Sequence, residues 1–156
     1  MGEKRMTANE KEEFCRIARG VVDSARYRQM KTYMAHTDVT VFAHSLRVAY
    51  TAYRMAAAWH IVCDREALVR GALLHDYYLY DWHDPKKGFR WHGLKHHRFA
   101  LANADVDFPL TTKERSIIYS HMFPLTFWTP PTCREAWLVT LADKMVAGAE
   151  TLKKYR

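Results

Sequence analysis

Nine histidines stand in this 156-residue chain, and several of them end or interrupt apolar helical patterns. His44 follows Val41-Phe42-Ala43, His75 and Asp76 follow Ala72-Leu73-Leu74, His121 comes shortly after Ile117-Ile118, and Asp143 follows Leu141-Ala142. A carboxylate buried without a cation is strongly disfavoured, and aspartate is almost never fully buried unless paired. Two such aspartates among imidazoles point to a bound metal ion. A single buried histidine is ordinarily a hydrogen-bonded core residue, because buried polar groups find partners. Applied residue by residue, that reading leaves two features unexplained: a His-Asp dipeptide closing one apolar helix, and a second Asp inside another.

The order of these groups resembles the HD superfamily of metal-dependent phosphohydrolases, in which an isolated His is followed by His-Asp and then by Asp. The matching positions are His44, His75-Asp76 and Asp143, in the contexts A-H-S-L-R-V-A, G-A-L-L-H-D and V-T-L-A-D-K. Between them, K-H-H-R-F-A-L-A-N-A and I-I-Y-S-H-M are similar to the two extra histidine segments of the binuclear members. The likeness spans residues 40 to 150. A bare His-Asp pair carries no information, as His83-Asp84 in the same chain illustrates; the ordered set of five segments does.

The resemblance implies His44, His75, Asp76 and Asp143 on one metal, with Asp76, His96 and His121 on a second, so that Asp76 bridges the two and is central to catalysis. Successive helical residues point about 100° apart, so His75 and Asp76 can approach one metal together only near a helix end. His96 and His97 compete for one ligand position. Family likeness favours His96, because the small Ala100 stands four residues later. Imidazole and carboxylate without thiolate suit iron, manganese, cobalt or zinc. The expected cofactors are two divalent ions, iron or manganese by family likeness, with zinc, cobalt, nickel or magnesium admissible. The implied chemistry is hydrolysis at phosphorus by two metals about 3.5–4 Å apart, which polarise a phosphoryl oxygen and acidify a water.

Around this set, Arg47 lies three residues after His44 and Lys144 follows Asp143; either can hold a substrate phosphate and assist catalysis, or be a solvated surface charge. Arg suits bidentate phosphate contacts. Lys95 and His92 are further candidates for substrate binding, and His92 stands one helical turn before His96. Many relatives follow His-Asp with a small residue and Lys, whereas this chain has Tyr77-Tyr78-Leu79-Tyr80. The segment after it, with Trp82, Phe89 and Trp91 among His83, Lys86, Lys87, Arg90 and His92, can stack on a base and meet phosphates, or can simply staple an irregular loop to the core.

Periodicity predicts an all-α fold, a single-domain helical bundle of about six to seven helices over residues 1–156, with a core over about 37–153 and an N-terminal helical segment over 1–36. No convincing period-2 strand is read. The first helix opens at the Thr7/Glu10 capping box, breaks near Gly20 and resumes from Val21 to about Ala35. Thr37 or Asp38 caps the next, which buries Val41, His44, Val48, Ala52 and Met55. Asp64 caps a helix ending at His75, and Tyr77 to Gly93 reads as irregular. A helix from about Leu94 to Ala104 carries His96, and Asp105 to Leu110 is a loop. Thr111 with Glu114, and Thr132 with Glu135, supply two more capping boxes. They open the helices of His121 and Asp143. The prolines of M-F-P-L-T-F-W-T-P-P cannot continue the former.

A chain of this length buries roughly two thirds of its unfolded surface in one core. Its composition, 49% hydrophobic and 26% charged, excludes a disordered chain. Three distant cysteines without a C-x-x-C pair indicate neither a disulfide framework nor a thiolate zinc site, and a reducing cytoplasm is the expected setting. No membrane span is read. The net charge of +7 favours anionic partners, but the basic residues are scattered. Dedicated nucleic-acid binding is therefore not expected. The expected partner is a small phosphorylated substrate, with a nucleotide the leading class; a homodimer remains open. The competing readings are a diiron oxygenase of the same superfamily, which uses the same ligand order, and a non-catalytic metal- or nucleotide-binding module.

Overall fold

The computed structural model describes residues 5–36, 38–80 and 92–155, apart from the side chains of His36 and His92. The chain runs through α1 (Ala8–Val22), α2 (Ala25–Arg28), a 3-10 turn (Gln29–Thr32), β1 (Met34–His36), β2 (Val39–Thr40), α3 (Val41–Ala58), α4 (Arg65–Leu74), α5 (His92–Asp107), α6 (Thr112–Ser120) and α7 (Arg134–Lys154). Among the described residues it is an all-α fold of seven helices, with one small antiparallel strand pair.

The strand pair is a correction to the expectation of none: Met34 faces Thr40 and His36 faces Val39 across an irregular register. It arises because α1 does not break at Gly20 and resume to Ala35. α1 runs unbroken to Val22, Ser24 then caps only the four residues of α2, and the chain leaves helical geometry after Thr32. Tyr27 anchors this departure, fully buried, with its hydroxyl donating to the Leu73 carbonyl at 2.8 Å. α3 is capped by Thr40, whose hydroxyl accepts from Ala43 N, rather than by Asp38; Thr37 lies outside the described residues.

α4 is the hub. Seven of its ten residues are buried, among them the run Gly71 to Leu74, and it touches α1, α3, α5, α6 and α7. That apolar run, with no polar side chain on any face, must be enclosed in this way. Its start is fixed twice. The Asp64 side chain accepts from Ala67 N, and the Asp64 backbone N–H donates to Glu135 Oε1 at 2.7 Å. That second bond explains why the Thr132/Glu135 capping box does not form: Glu135 is engaged by Asp64 and by Lys113, and α7 begins at Cys133 without a side-chain cap. The boxes at Thr7/Glu10 and Thr111/Glu114 are both complete. α5 begins at His92 rather than Leu94 and runs through Asp107, beyond the expected end at Ala104. Asp107 accepts from Tyr77 Oη at 2.8 Å and Arg26 Nε at 3.2 Å, which holds the added turn. Of the expected irregular stretch from Tyr77 to Gly93, residues 81–91 lie outside the described residues.

Gly71 is required by proximity. A β-carbon built there would sit 2.8 Å from both Ile117 Cδ1 and Ile117 Cγ2, so α4 and α6 meet at contact distance. Ile117 is β-branched, fully buried and unable to swing aside. Gly71→Ala is expected to cost about 1–3 kcal/mol in chemical denaturation, the usual cost of overpacking. Ile117→Ala in the same chain should recover part of that loss, and purely additive losses would contradict the contact.

Candidate metal centre

Five helices bring six of the sequence candidates together. His44 comes from the buried face of α3, His96 from α5 and Asp143 from α7. His75 and His121 are the C-caps of α4 and α6. Each cap works the same way: Nδ1–H of His75 donates to the Ala72 carbonyl at 2.6 Å, and Nδ1–H of His121 to the Ile118 carbonyl at 2.7 Å. Each imidazole thus satisfies a carbonyl in its helix's last turn and is locked with its Nε2 lone pair facing inward. His44 is locked likewise, donating Nδ1–H to Glu150 Oε2 at 2.9 Å. All six side chains are buried.

Asp76, just past the end of α4, stands between the imidazoles and divides its oxygens among them. Oδ2 lies 3.4 Å from His75 Nε2 and 3.7 Å from His44 Nε2. Oδ1 lies 3.1 Å from His96 Nε2 and 3.3 Å from His121 Nε2. Asp143 Oδ1 closes the first side, 3.1 Å from His44 Nε2 and 3.5 Å from His75 Nε2. Two groupings keep their ligand atoms within 4.8 Å of one another, His44 with His75 and Asp143, and His75 with Asp76 and His121.

The electrostatics demand positive charge in this space. Lone pairs on His44, His75 and His121 face carboxylate oxygens, and His96 Nε2 approaches His121 Nε2 to 3.0 Å. His75 Nε2 and Asp76 Oδ1 have no hydrogen-bond partner among the described residues, although both are buried. Such orphaned atoms are what a divalent cation would engage, and the donor set of imidazole and carboxylate fits one. Protons are the alternative filling. Burial alone would push His44 down, but its hydrogen bonds with Asp143 and Glu150 carry it up to about 9. His75 is likewise opposed by burial, yet the charge of Asp76 and the bond with Asp143 raise it to about 10. Burial would also raise Asp76 and Asp143, but the surrounding imidazoles hold both carboxyls well below their ordinary range. His121 is pushed down to about 4, by burial first and, despite Asp76, by neighbouring imidazoles.

The remaining candidates fall around this cluster. Lys144 Nζ donates to Asp143 Oδ2 at 2.7 Å and to the His121 carbonyl at 3.0 Å, joining the two halves of the site while its side chain stays partly exposed. Arg47 donates to Glu150 Oε1 at 2.8 Å, on the far side of His44 from Asp76. Lys95 is exposed on α5. The His92 side chain and the His83-Asp84 pair lie outside the described residues. His97 is buried edge-on against Tyr119, and neither of its ring nitrogens has a hydrogen-bond partner among the described residues. Burial, then the charges of His121 and His96, push it down to about 4. Tyr78 packs 5.9 Å from the His96 ring and 5.2 Å from Tyr80, which packs in turn on Phe99. The tyrosines that replace the expected Lys thus form an aromatic wall beside the second half of the site.

Sequence reasoning missed Glu150. Its signal was there: it stands seven residues after Asp143, two turns along the same buried face of α7. Roomy concavities elsewhere, of about 670 and 520 Å³ around Cys133 and Trp137, hold no such convergence of ligand atoms.

Among protein families, the HD domain matches residues 41–148 of this chain. Neither the curated proteins nor the solved structures gave a match.

Two outcomes follow. Glu150→Gln is expected to weaken divalent-metal binding about 10- to 100-fold, the usual effect of losing a carboxylate that orients a ligating histidine, as read by competition with a chelating dye. Unchanged affinity would remove Glu150 from the site. In metal-free protein, His44 and His75 contribute stability that is whole below roughly pH 6.5, their ordinary value, and is lost as pH rises through about 9 and about 10. Asp76 and Asp143 act oppositely, contributing above the ordinary carboxylate range and failing as acid protonates them. Thermal melts of metal-free protein should therefore decline toward alkaline pH, and metal loading should abolish that decline. A flat alkaline profile without metal would contradict the coupling.

Proposed function

From the premise that the chain belongs to the HD domain family, a superfamily of metal-dependent phosphohydrolases, we propose that it hydrolyses a phosphate ester or anhydride of a small metabolite, with a nucleotide as the leading substrate class. The observation that carries this reading is the division of Asp76: one oxygen faces His44 and His75, the other His96 and His121. A carboxylate so shared is suited to hold two cations side by side. His44, His75, Asp76 and Asp143 would hold the first, and Asp76, His96 and His121 the second, with iron or manganese the favoured ions. When bound, two such ions supply Lewis-acid polarisation of a phosphoryl oxygen and a water acidified toward neutral pH.

The chain's own residues then have separate tasks. His75 and His121, fixed by carbonyls of their own helices, keep the ligand geometry rigid while substrate enters. Lys144 sits at the partly exposed edge, with two of its three N–H donors engaged on Asp143 and the His121 carbonyl. Its remaining N–H is available to a phosphate oxygen, which makes it the substrate cation nearest the chemistry. Arg47 is assigned the orientation of Glu150 and, through it, of His44. Tyr80, half-buried and backed by the buried Tyr78, offers an aromatic face where many relatives place a lysine, which favours a substrate with a planar group beside its phosphate. Cys15, Cys63 and Cys133 are free thiols. Among the described residues, no helix is long and apolar enough to cross a membrane.

The test is metal analysis of anaerobically purified protein, followed by a phosphate-release screen over nucleotides and sugar phosphates with that metal restored. Phosphate release is expected with about two metals per chain. Asp76→Asn should lower turnover by roughly three orders of magnitude or more, since the ions supply most of the charge stabilisation. Lys144→Met should lower kcat/KM about 10- to 100-fold with metal content unchanged, the loss of one charge-assisted contact. Oxygen uptake without phosphate release would assign the chain to the oxygenase branch. Two bound metals with neither reaction would leave a binding module.

A further inference from the structure

The outer face of α7 carries a second feature, running past Lys144 at the edge of the metal centre. Trp137, Leu141, Met145, Gly148 and Leu152 recur at three- and four-residue spacing and so form one stripe along the helix. Their side chains are uncovered: Trp137 is 44% exposed, Leu141 45%, Met145 56% and Leu152 70%. Tyr155 continues the stripe beyond the helix end and is more exposed still. At its N-terminal end the stripe borders a mainly apolar groove of about 520 Å³ between α7 and the α3–α4 connection, with Trp59, Val62, Trp137 and Leu141 in its lining and His60 and Arg134 as its polar members. With Trp59 and Val62 included, the exposed area is on the order of 900 Å², above the roughly 300–600 Å² of the largest apolar patch on an ordinary monomer. It also matches the roughly 800 Å² that each partner of a standard interface buries.

We propose that this face is a homodimer interface in which two copies of α7 pair antiparallel about a two-fold axis. The pattern of the stripe is self-complementary, as an isologous contact requires. In an antiparallel pair the sum of facing residue numbers is constant. The register that sets Met145 against Gly148 of the second copy also sets Leu141 against Leu152. Bulk therefore meets space: a β-carbon built on Gly148 would find nothing within 4 Å in its own chain, which leaves room for the methionine. The same register carries Tyr155 to the level of Leu138, where the apolar groove opens. Each copy thus brings its exposed Tyr155 to the level of the other's groove. Between Trp137 and Leu152 the exposed charge is Lys144, whose ammonium is already engaged by Asp143 and the His121 carbonyl, so little unpaired charge is desolvated by the contact.

Sedimentation equilibrium of the full chain tests this. The expected result is a reversible dimer of twice the 18.3 kDa chain mass at micromolar concentration. Met145→Glu, and separately Leu152→Glu, should weaken association by roughly tenfold or more, as for central interface residues. Helical content and metal content should stay unchanged. Leu152 lies near the exposed end of α7, so its substitution leaves the core intact even if Met145→Glu disturbs folding. A chain that remains monomeric up to about 100 μM, a concentration far above that needed for a micromolar Kd, would overturn the proposal. So would a dimer that survives both substitutions. Neither outcome depends on what the metal centre catalyses.

Discussion

The molecule is organised around an electrostatic conflict: imidazole lone pairs and two carboxylates are forced together in a space closed to bulk water. His44, His75 and His121 each spend Nδ1–H on a fixed acceptor, and each therefore presents a bare Nε2 to Asp76 or Asp143. Only positive charge resolves this, whether as protons on His44 and His75 or as metal ions. The elevation of those two imidazoles and the depression of both carboxyls are two views of the same frustration. Packing of the surrounding helices supplies the energy that keeps the groups in place.

Three kinds of local structure hold the ligands, and they differ in rigidity. His44, His96 and Asp143 sit on helix faces, where rotamers are limited by the preceding turn. His75 and His121 sit on helix ends, where the imidazole replaces a missing backbone donor and the macrodipole favours a nearby cation. Asp76 sits just beyond the end of α4, free of the helical ladder, and so can turn one oxygen to each side. A His-Asp pair in mid-helix would have splayed the two side chains apart. Placing the pair where α4 ends lets adjacent residues converge.

Much of this was legible in the sequence because the signals were local. Thr7/Glu10 and Thr111/Glu114 form complete capping boxes, and Asp64 caps α4, since those bonds close within four residues. Histidines on apolar faces marked the centre for the same reason. What escaped was decided at long range. Glu135 has the spacing of a capping residue, but Asp64 and Lys113, far away in sequence, compete for it and win. Tyr33 to Ala35 fall within an expected helix, but Tyr27 is drawn to Leu73 and the backbone enters a strand pair there instead. Glu150 carried only a faint signal, its place two turns after Asp143, because its partners His44 and Arg47 lie more than a hundred positions earlier.

The contact between Gly71 and Ile117 reaches further than packing. Each residue stands four positions, one helical turn, before a histidine: Gly71 before His75, and Ile117 before His121. The two imidazoles meet edge to face with centroids 4.8 Å apart, one helical turn along from the contact of Gly71 with Ile117. The missing side chain therefore works as a gauge block: its thickness sets the separation of the rings one storey higher. Any residue large enough to thicken it would part the halves of the ligand cage and loosen the bundle in one stroke, so the calibre of the cage is tied to the durability of the fold.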